Sequence, residues 1–277
     1  MKKVIQVIII SLFTIFSFYY TDKIVEFSKK QDPIMISILN VKEEKEIEPV
    51  NGVLSNDTML VGQSGLKVDV DTSYEQMKKL KEFNENLLEY ISIKPNIAKK
   101  DNYEKLIIGS NTKEKKISLV FQLDSLDKLD QISYILTLNN ISATFFIDGK
   151  ILEDNIIKVK NIFDDNLKLG LYGYNNSYNG SSLRYSQGLI NNNASYSNYC
   201  LYKNKEFLDT CASFKINTIR PEVVEKNVYN HFKENKIQGL IYQIVLSNSN
   251  LRELNSSIIY LKQKGYAIVS LEDLLKE

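Results

Sequence analysis

From Lys116 to the C-terminus, short runs rich in β-branched and aromatic residues alternate with helical stretches, and this alternation constrains the fold more than any other feature. The strands read as 117–121, 143–147, 168–172, 196–201, 217–219, 240–245 and 267–270. Helical stretches lie around 129–139, 155–164, 183–192, 205–214, 227–233 and 251–264, and 271–276 closes the chain. Strands that alternate with helices pair in parallel, because the helix supplies the crossover that parallel neighbours need. About seven such units fit an irregular, incomplete (β/α) barrel better than a doubly wound sheet. In either arrangement a site forms at the C-terminal ends of the strands.

The N-terminal part is of another kind. Lys2 and Lys3 precede residues 4–20, an uncharged run with only Gln6, Ser11, Thr14 and Ser17 as mildly polar interruptions. A run of this length stands at the short end of the roughly 17–25 residues that span a bilayer. The cationic start directs the N-terminus to the cytoplasm, and the bulky residues before Asp22 offer no cleavage site. The expectation is an N-terminal transmembrane helix over 1–21, with a removed signal segment as the alternative, and a single-pass protein of the cell membrane with its C-terminal domain outside the cytoplasm. Residues 22–50, with a mixed charge run at 42–48, read as a charged tether. Residues 51–115 read as a small N-terminal α+β extension. In it Leu66-Lys67-Val68-Asp69-Val70 alternates like a strand, and Thr72 with Glu75 has capping-box spacing. Tyr74, Met77, Leu80, Phe83, Leu87, Leu88 and Ile91 then recur at helical spacing, up to Pro95. Residues 116–277 form the main domain.

Composition narrows the chemistry. Lys+Arg 35 against Asp+Glu 34 leaves a formal net charge of +1, so no global field draws nucleic acid. One histidine, His231, and two cysteines, Cys200 and Cys211, cannot build a zinc finger, a multi-histidine zinc site or an iron–sulfur centre from this chain alone. A metal held by carboxylates and carbonyls is still allowed. The two cysteines read as buried free thiols, with oxidation outside the cell as the alternative.

Two stretches carry a resemblance. Ile117-Ser118-Leu119-Val120-Phe121-Gln122-Leu123-Asp124, followed by Ile141-Ser142-Ala143-Thr144-Phe145-Phe146-Ile147-Asp148-Gly149, resembles the opening of the polysaccharide deacetylase family, the NodB-homology carbohydrate esterases. Residues 258–275 are similar to that family's last helix, strand and closing turn, so the resemblance covers 116 to the C-terminus. It implies a deacetylase-like (β/α) barrel. It also implies a divalent metal, often zinc, held by one Asp and two His, with a neighbouring Asp as general base, releasing acetate from an N-acetyl sugar.

Placed on that pattern, Gln122 falls at the general-base position and Leu123 at the metal-ligand carboxylate, with Asp124 one residue beyond as the candidate carboxylate. The two metal histidines correspond to Tyr172 and Asn176. Cys200, in Tyr199-Cys200-Leu201-Tyr202, stands where an arginine belongs, and the acid histidine falls near Ile241-Tyr242-Gln243-Ile244, which holds none. The single histidine defeats the standard mechanism whatever the alignment; His231, beside Phe232, reads as a solvated or capping helix residue.

The groove implied by the resemblance gathers Tyr172, Tyr174, Asn176, Cys200, Tyr202 and Arg220, with the Tyr-, Asn- and Ser-rich loop 174–182 at its mouth. Asp164-Asp165 reads as a surface pair. The combined expectation is a membrane-anchored, extracytoplasmic, catalytically degenerate deacetylase-like protein without a cofactor. It would bind cell-wall polysaccharide or peptidoglycan, or an envelope partner the sequence does not name. One alternative is an active deacetylase around Asp124, Asn176 and Tyr172 that uses zinc or another divalent metal; another is a purely structural envelope protein.

Overall fold

The computed structural model describes residues 2–164, 166–235 and 237–277, with only the backbone described at 2–10 and 22. The N-terminal elements are α1 (Lys2–Lys30), α2 (Pro33–Lys45), β1 (Val53–Leu54), β2 (Thr58–Val61), β3 (Gly65–Val68), α3 (Val70–Leu80), β4 (Tyr90–Ile93) and β5 (Leu106–Ser110). Next come β6 (Lys116–Leu123), α4 (Leu129–Leu138), β7 (Ala143–Ile147), α5 (Gly149–Asp154), α6 (Ile156–Lys160), β8 (Leu167–Leu171) and α7 (Gly180–Asn193). The chain continues through β9 (Tyr196–Leu201), α8 (Lys205–Ser213), β10 (Asn217–Ile219), β11 (Glu222–Val224) and α9 (Val228–Glu234). It ends with β12 (Ile241–Ile244), α10 (Asn248–Gln263), β13 (Ala267–Ile268) and α11 (Leu271–Leu274). Asp165 of the expected surface pair lies outside the described residues.

Two compact units result, one from residues 1–48 and 65–93, the other from 49–64 and 94–277. The first packs α2 and α3 with the antiparallel pair β3–β4 around Met35, Ile38, Val68, Tyr74, Met77 and Leu88. Asp69, not Thr72, caps α3: its carboxylate accepts from the Thr72 amide at 3.0 Å and the Thr72 hydroxyl at 2.7 Å. The helix stops at Leu80 because Lys81 turns left-handed, φ 59°, so the apolar rhythm continues outside it, Leu87 in a separate 3-10 turn and Ile91 in β4.

The expected membrane anchor is corrected here. Among the described residues no helix is long and apolar enough to cross a membrane. The uncharged run does not end in a helix of its own; α1 continues without a break through Lys23, Glu26, Lys29 and Lys30, which alternate with exposed Ile24, Val25 and Phe27. Residues 4–10, part of the run on which the expectation rested, lie outside the residues whose side chains are described. The transmembrane helix in the fold class, the membrane as a partner and the single-pass topology drawn from it are withdrawn together.

In the second unit β5, β10, β9, β8, β7, β6 and β12 lie side by side, each paired parallel to the next. The ring is drawn together where Gly109 of β5 bridges Leu240 and the Ser110 amide donates to the Gly239 carbonyl at 2.7 Å. A Cβ on Gly109 would stand 2.2 Å from that carbonyl oxygen, so the two backbones can meet only at glycine. Strand side chains alternate between two apolar layers. Ile117, Leu119, Phe121 and Leu123 of β6 pack outward with the helices, whereas Val120 faces inward with Phe146, Tyr199, Leu201, Ile219 and Ile241. Leu271, Leu274 and Leu275 join the inner layer, so the interior is filled.

Candidate functional site

The same alternation decides which side chains reach the strand ends. On β6 the inward rhythm runs Val120, Gln122 and then Asp124, while Leu123, 1% exposed, belongs to the outer layer. On β12 it runs Ile241 and Gln243; on β8 it reaches Tyr172; on β9 it runs Tyr199, Leu201 and then Lys203. Gln122, Asp124, Gln243, Tyr172 and Lys203 therefore converge at one end of the barrel. Gln243 and Lys203 were not singled out from the sequence, although counting in twos from the strand cores would have found both.

These groups form two linked sets. Gln243 donates to the Gln122 Oε1 at 3.4 Å, and Gln122 donates through Nε2 to the Asp124 Oδ1 at 2.8 Å. Together with Ser125, Asp127, Lys128 and Val245 they line a cleft of about 420 Å³ between the ends of β6 and β12. Beside them the Lys203 ammonium donates to the Tyr172 hydroxyl at 3.2 Å and stands 5.6 Å from its ring centroid. That hydrogen bond, helped more weakly by the Asp124 carboxylate, holds the ammonium above its ordinary pKa. Tyr172 is 8% exposed, whereas Lys203 is open to solvent.

Asp148 shapes the neighbouring loop. Its carboxylate accepts from the amides of Lys150 and Asn175, both at 2.8 Å, and of Asn176 at 3.0 Å. Asn175 and Asn176 are both left-handed, φ 50° and 55°, between Tyr174 and Ser177, which bond to each other in both directions. This is a two-residue turn of the kind asparagine tolerates. Asn176 thus sits exposed at a turn tip with its backbone amide committed to Asp148.

The other expected groove residues do not converge. Tyr174 turns to Glu153, donating at 2.8 Å and meeting Tyr185 edge-on at 4.9 Å. Tyr185 donates to the same carboxylate at 2.5 Å, and these bonds hold Glu153 down to about 2. Cys200 is fully buried on the outer face and bonded to Cys211, which corrects both its place in the groove and the reading as free thiols. Tyr202 follows Cys200 in the outward rhythm, its amide donating to the Ile219 carbonyl at 2.9 Å, and Arg220 is exposed beyond β10. His231 is partly buried: it packs edge-on against Tyr242 of the outer layer, 5.5 Å between ring centroids, and lies 3.2 Å from Glu222.

The residues present do not fit the metal that the resemblance implies. Leu123 faces the helices, Asn176 is held at a turn tip, and the Tyr172 hydroxyl already faces an ammonium. Among the described residues no three His, Cys, Asp or Glu side chains come together to hold a metal ion.

The chain has the polysaccharide deacetylase fold, that of the family 4 carbohydrate esterases, in a divergent form in which no metal-holding cluster is found among the described residues. It is similar to BA3943 of Bacillus anthracis, described as a CE4 family pseudoenzyme, with a TM-score of 0.67 and 23% identity over 89% of this chain and 96% of that one. A BA3943 mutant described as having restored enzymatic activity matches with the same TM-score and identity, over 88% and 98% of the two chains. PdaA of Bacillus subtilis, a family 4 carbohydrate esterase, matches with a TM-score of 0.54 and 19% identity over 82% of this chain and 97% of PdaA. In sequence the chain is 24% identical to the uncharacterized protein YlxY of Bacillus subtilis (strain 168), over 89% of this chain and 85% of YlxY. No family model matches the chain.

Proposed function

We propose that this chain is a catalytically degenerate deacetylase-type protein that holds N-acetylated cell-wall glycan at the strand-end cleft without hydrolysing it. The observation that carries this reading is the chain of hydrogen bonds from Gln243 through Gln122 to Asp124 along an open cleft. Planar amide and carboxylate groups offer paired donors and acceptors to neighbouring sugar hydroxyls, and the cleft falls in the size range of small-ligand sites, roughly 300–1,000 Å³. The network leaves one Asp124 oxygen and one N–H on each glutamine for a ligand. Support also comes from the likeness to BA3943, which is described as a pseudoenzyme, and to PdaA, whose family acts on carbohydrate.

The test is titration of the full chain with N-acetylglucosamine oligomers, followed by calorimetry, with acetate release measured in parallel. Binding without acetate release is expected, weakened at least about tenfold in Asp124→Ala and Gln243→Ala, in line with lost hydrogen bonds to a charged or amide group. No binding to any oligomer would overturn the reading. Stoichiometric acetate release on adding a divalent metal would replace it with an active deacetylase of non-standard design.

A further inference from the structure

Lys203 stands apart from the other groups at the strand end. It is the inward-facing residue that follows Leu201, carried one step past the strand by extended backbone: Asn204 has φ −156° and ψ 177° and caps α8 by accepting from the Phe207 amide at 2.9 Å. The ammonium is placed by its hydrogen bond to the Tyr172 hydroxyl at 3.2 Å and its position over the Tyr172 ring. Its described hydrogen-bond partner is the Tyr172 hydroxyl, on the residue at the first metal-histidine position. Among the described residues it forms no ion pair, so two of its three N–H donors remain for a ligand. Across the site Asp124 Oδ1 accepts from Gln122, and among the described residues Oδ2 has no hydrogen-bond donor.

We infer that the Lys203 ammonium serves as the cation of this site, reading the acetamido group of the sugar by donating to its carbonyl oxygen. The inference rests on the proposed glycan-binding reading and adds to it a residue that decides specificity. An acetamido group presents one carbonyl acceptor and one N–H donor. An ammonium held against Tyr172 and a carboxylate with one oxygen engaged are the complementary pair. A de-N-acetylated sugar presents an ammonium instead, losing the acceptor that Lys203 reads and meeting repulsion from Lys203 that the Asp124 carboxylate partly offsets. Two unit charges about 4 Å apart in water repel by enough to weaken binding roughly fivefold, and partial exclusion of water enlarges the factor. Tyr172 acts as a positioning residue: its buried ring and hydroxyl hold the ammonium in place.

The experiment compares an N-acetylglucosamine pentamer with the glucosamine pentamer at pH 6, on the wild-type chain and on Lys203→Met, Lys203→Arg and Tyr172→Phe. The quantity read is the ratio of the two dissociation constants. Wild type is expected to favour the acetylated pentamer by about fivefold or more, and Lys203→Met to lose that preference. Lys203→Arg should keep it and Tyr172→Phe should keep it in part. Because Lys203 is exposed, its variants are expected to fold, which circular dichroism checks. If wild type binds and Lys203→Met shows the same preference, the inference fails while glycan binding stands. If wild type binds neither pentamer, both fall together.

Discussion

Replacing Asp148 by alanine tests whether one carboxylate sets the geometry of the loop beside the site. In the folded chain it accepts three backbone amides, from Lys150 at the start of α5 and from Asn175 and Asn176 in the turn. The first is an N-cap, and its loss costs about 1 kcal/mol. The other two are hydrogen bonds to a charged group, nominally about 1.5–3 kcal/mol each, but the turn faces water, which takes over part of each bond when the carboxylate is removed. A net of about 0.5–1.5 kcal/mol for each is the better figure, so Asp148→Ala should lower stability by about 2–4 kcal/mol. Asp148→Asn keeps a good cap but leaves one carbonyl oxygen for three amides, so it should cost about half as much. Urea unfolding followed by circular dichroism measures the change, and hydrogen exchange at Asn175 and Asn176 locates it. A loss under about 0.5 kcal/mol, with both amides as protected as in wild type, would refute the reasoning.

Three further outcomes follow from neighbouring features. Leu123→Asp should cost more than about 3 kcal/mol because it buries an unpaired carboxylate among the helix-side residues, whereas Gln122→Asp, on the open face, should cost under about 1 kcal/mol; similar losses in urea would refute the strand phase. The Cys200–Cys211 bond closes a loop with a sequence separation of 11. A loop that short corresponds to about 3 kcal/mol of denatured-state entropy, so Cys200→Ala/Cys211→Ala should lower the urea midpoint and make it insensitive to reductant; a midpoint equal to that of the oxidised protein would contradict this. Glu153 is held from 4.5 down to about 2 by Tyr185, Tyr174 and Lys150. A depressed carboxylate stabilises above its unfolded pKa, so its contribution should fade as pH drops from about 4.5 to about 2 and be absent in Glu153→Gln. Parallel stability profiles for the two proteins across that window would count against the network.

Much of the fold was legible because strand and helix leave different periods in a sequence. The run 117–121 lies within β6, 143–147 coincides with β7, and 196–201 with β9. The strands β2, β5 and β11, of three to five residues, were not assigned from the sequence. The stripe assigned to one helix through Ile91 breaks at Lys81, whose left-handed backbone leaves no trace in an apolar pattern.

The site divides along the same line. A single histidine and the residues at 122, 123, 172 and 176 are properties of the chain as written, and they stand where the resembled family would place its metal and acid–base groups. What needed three dimensions was direction. A strand turns successive side chains to opposite faces, so moving one position exchanges the open end of the barrel for the helix-side core. That step turns Leu123 and Cys200 away from the site and brings Asp124, Gln243 and Lys203 to it. Strand phase is set by pairing with neighbours distant in sequence, β6 with β7 and β12, β9 with β8 and β10, and only the closed barrel supplies that information.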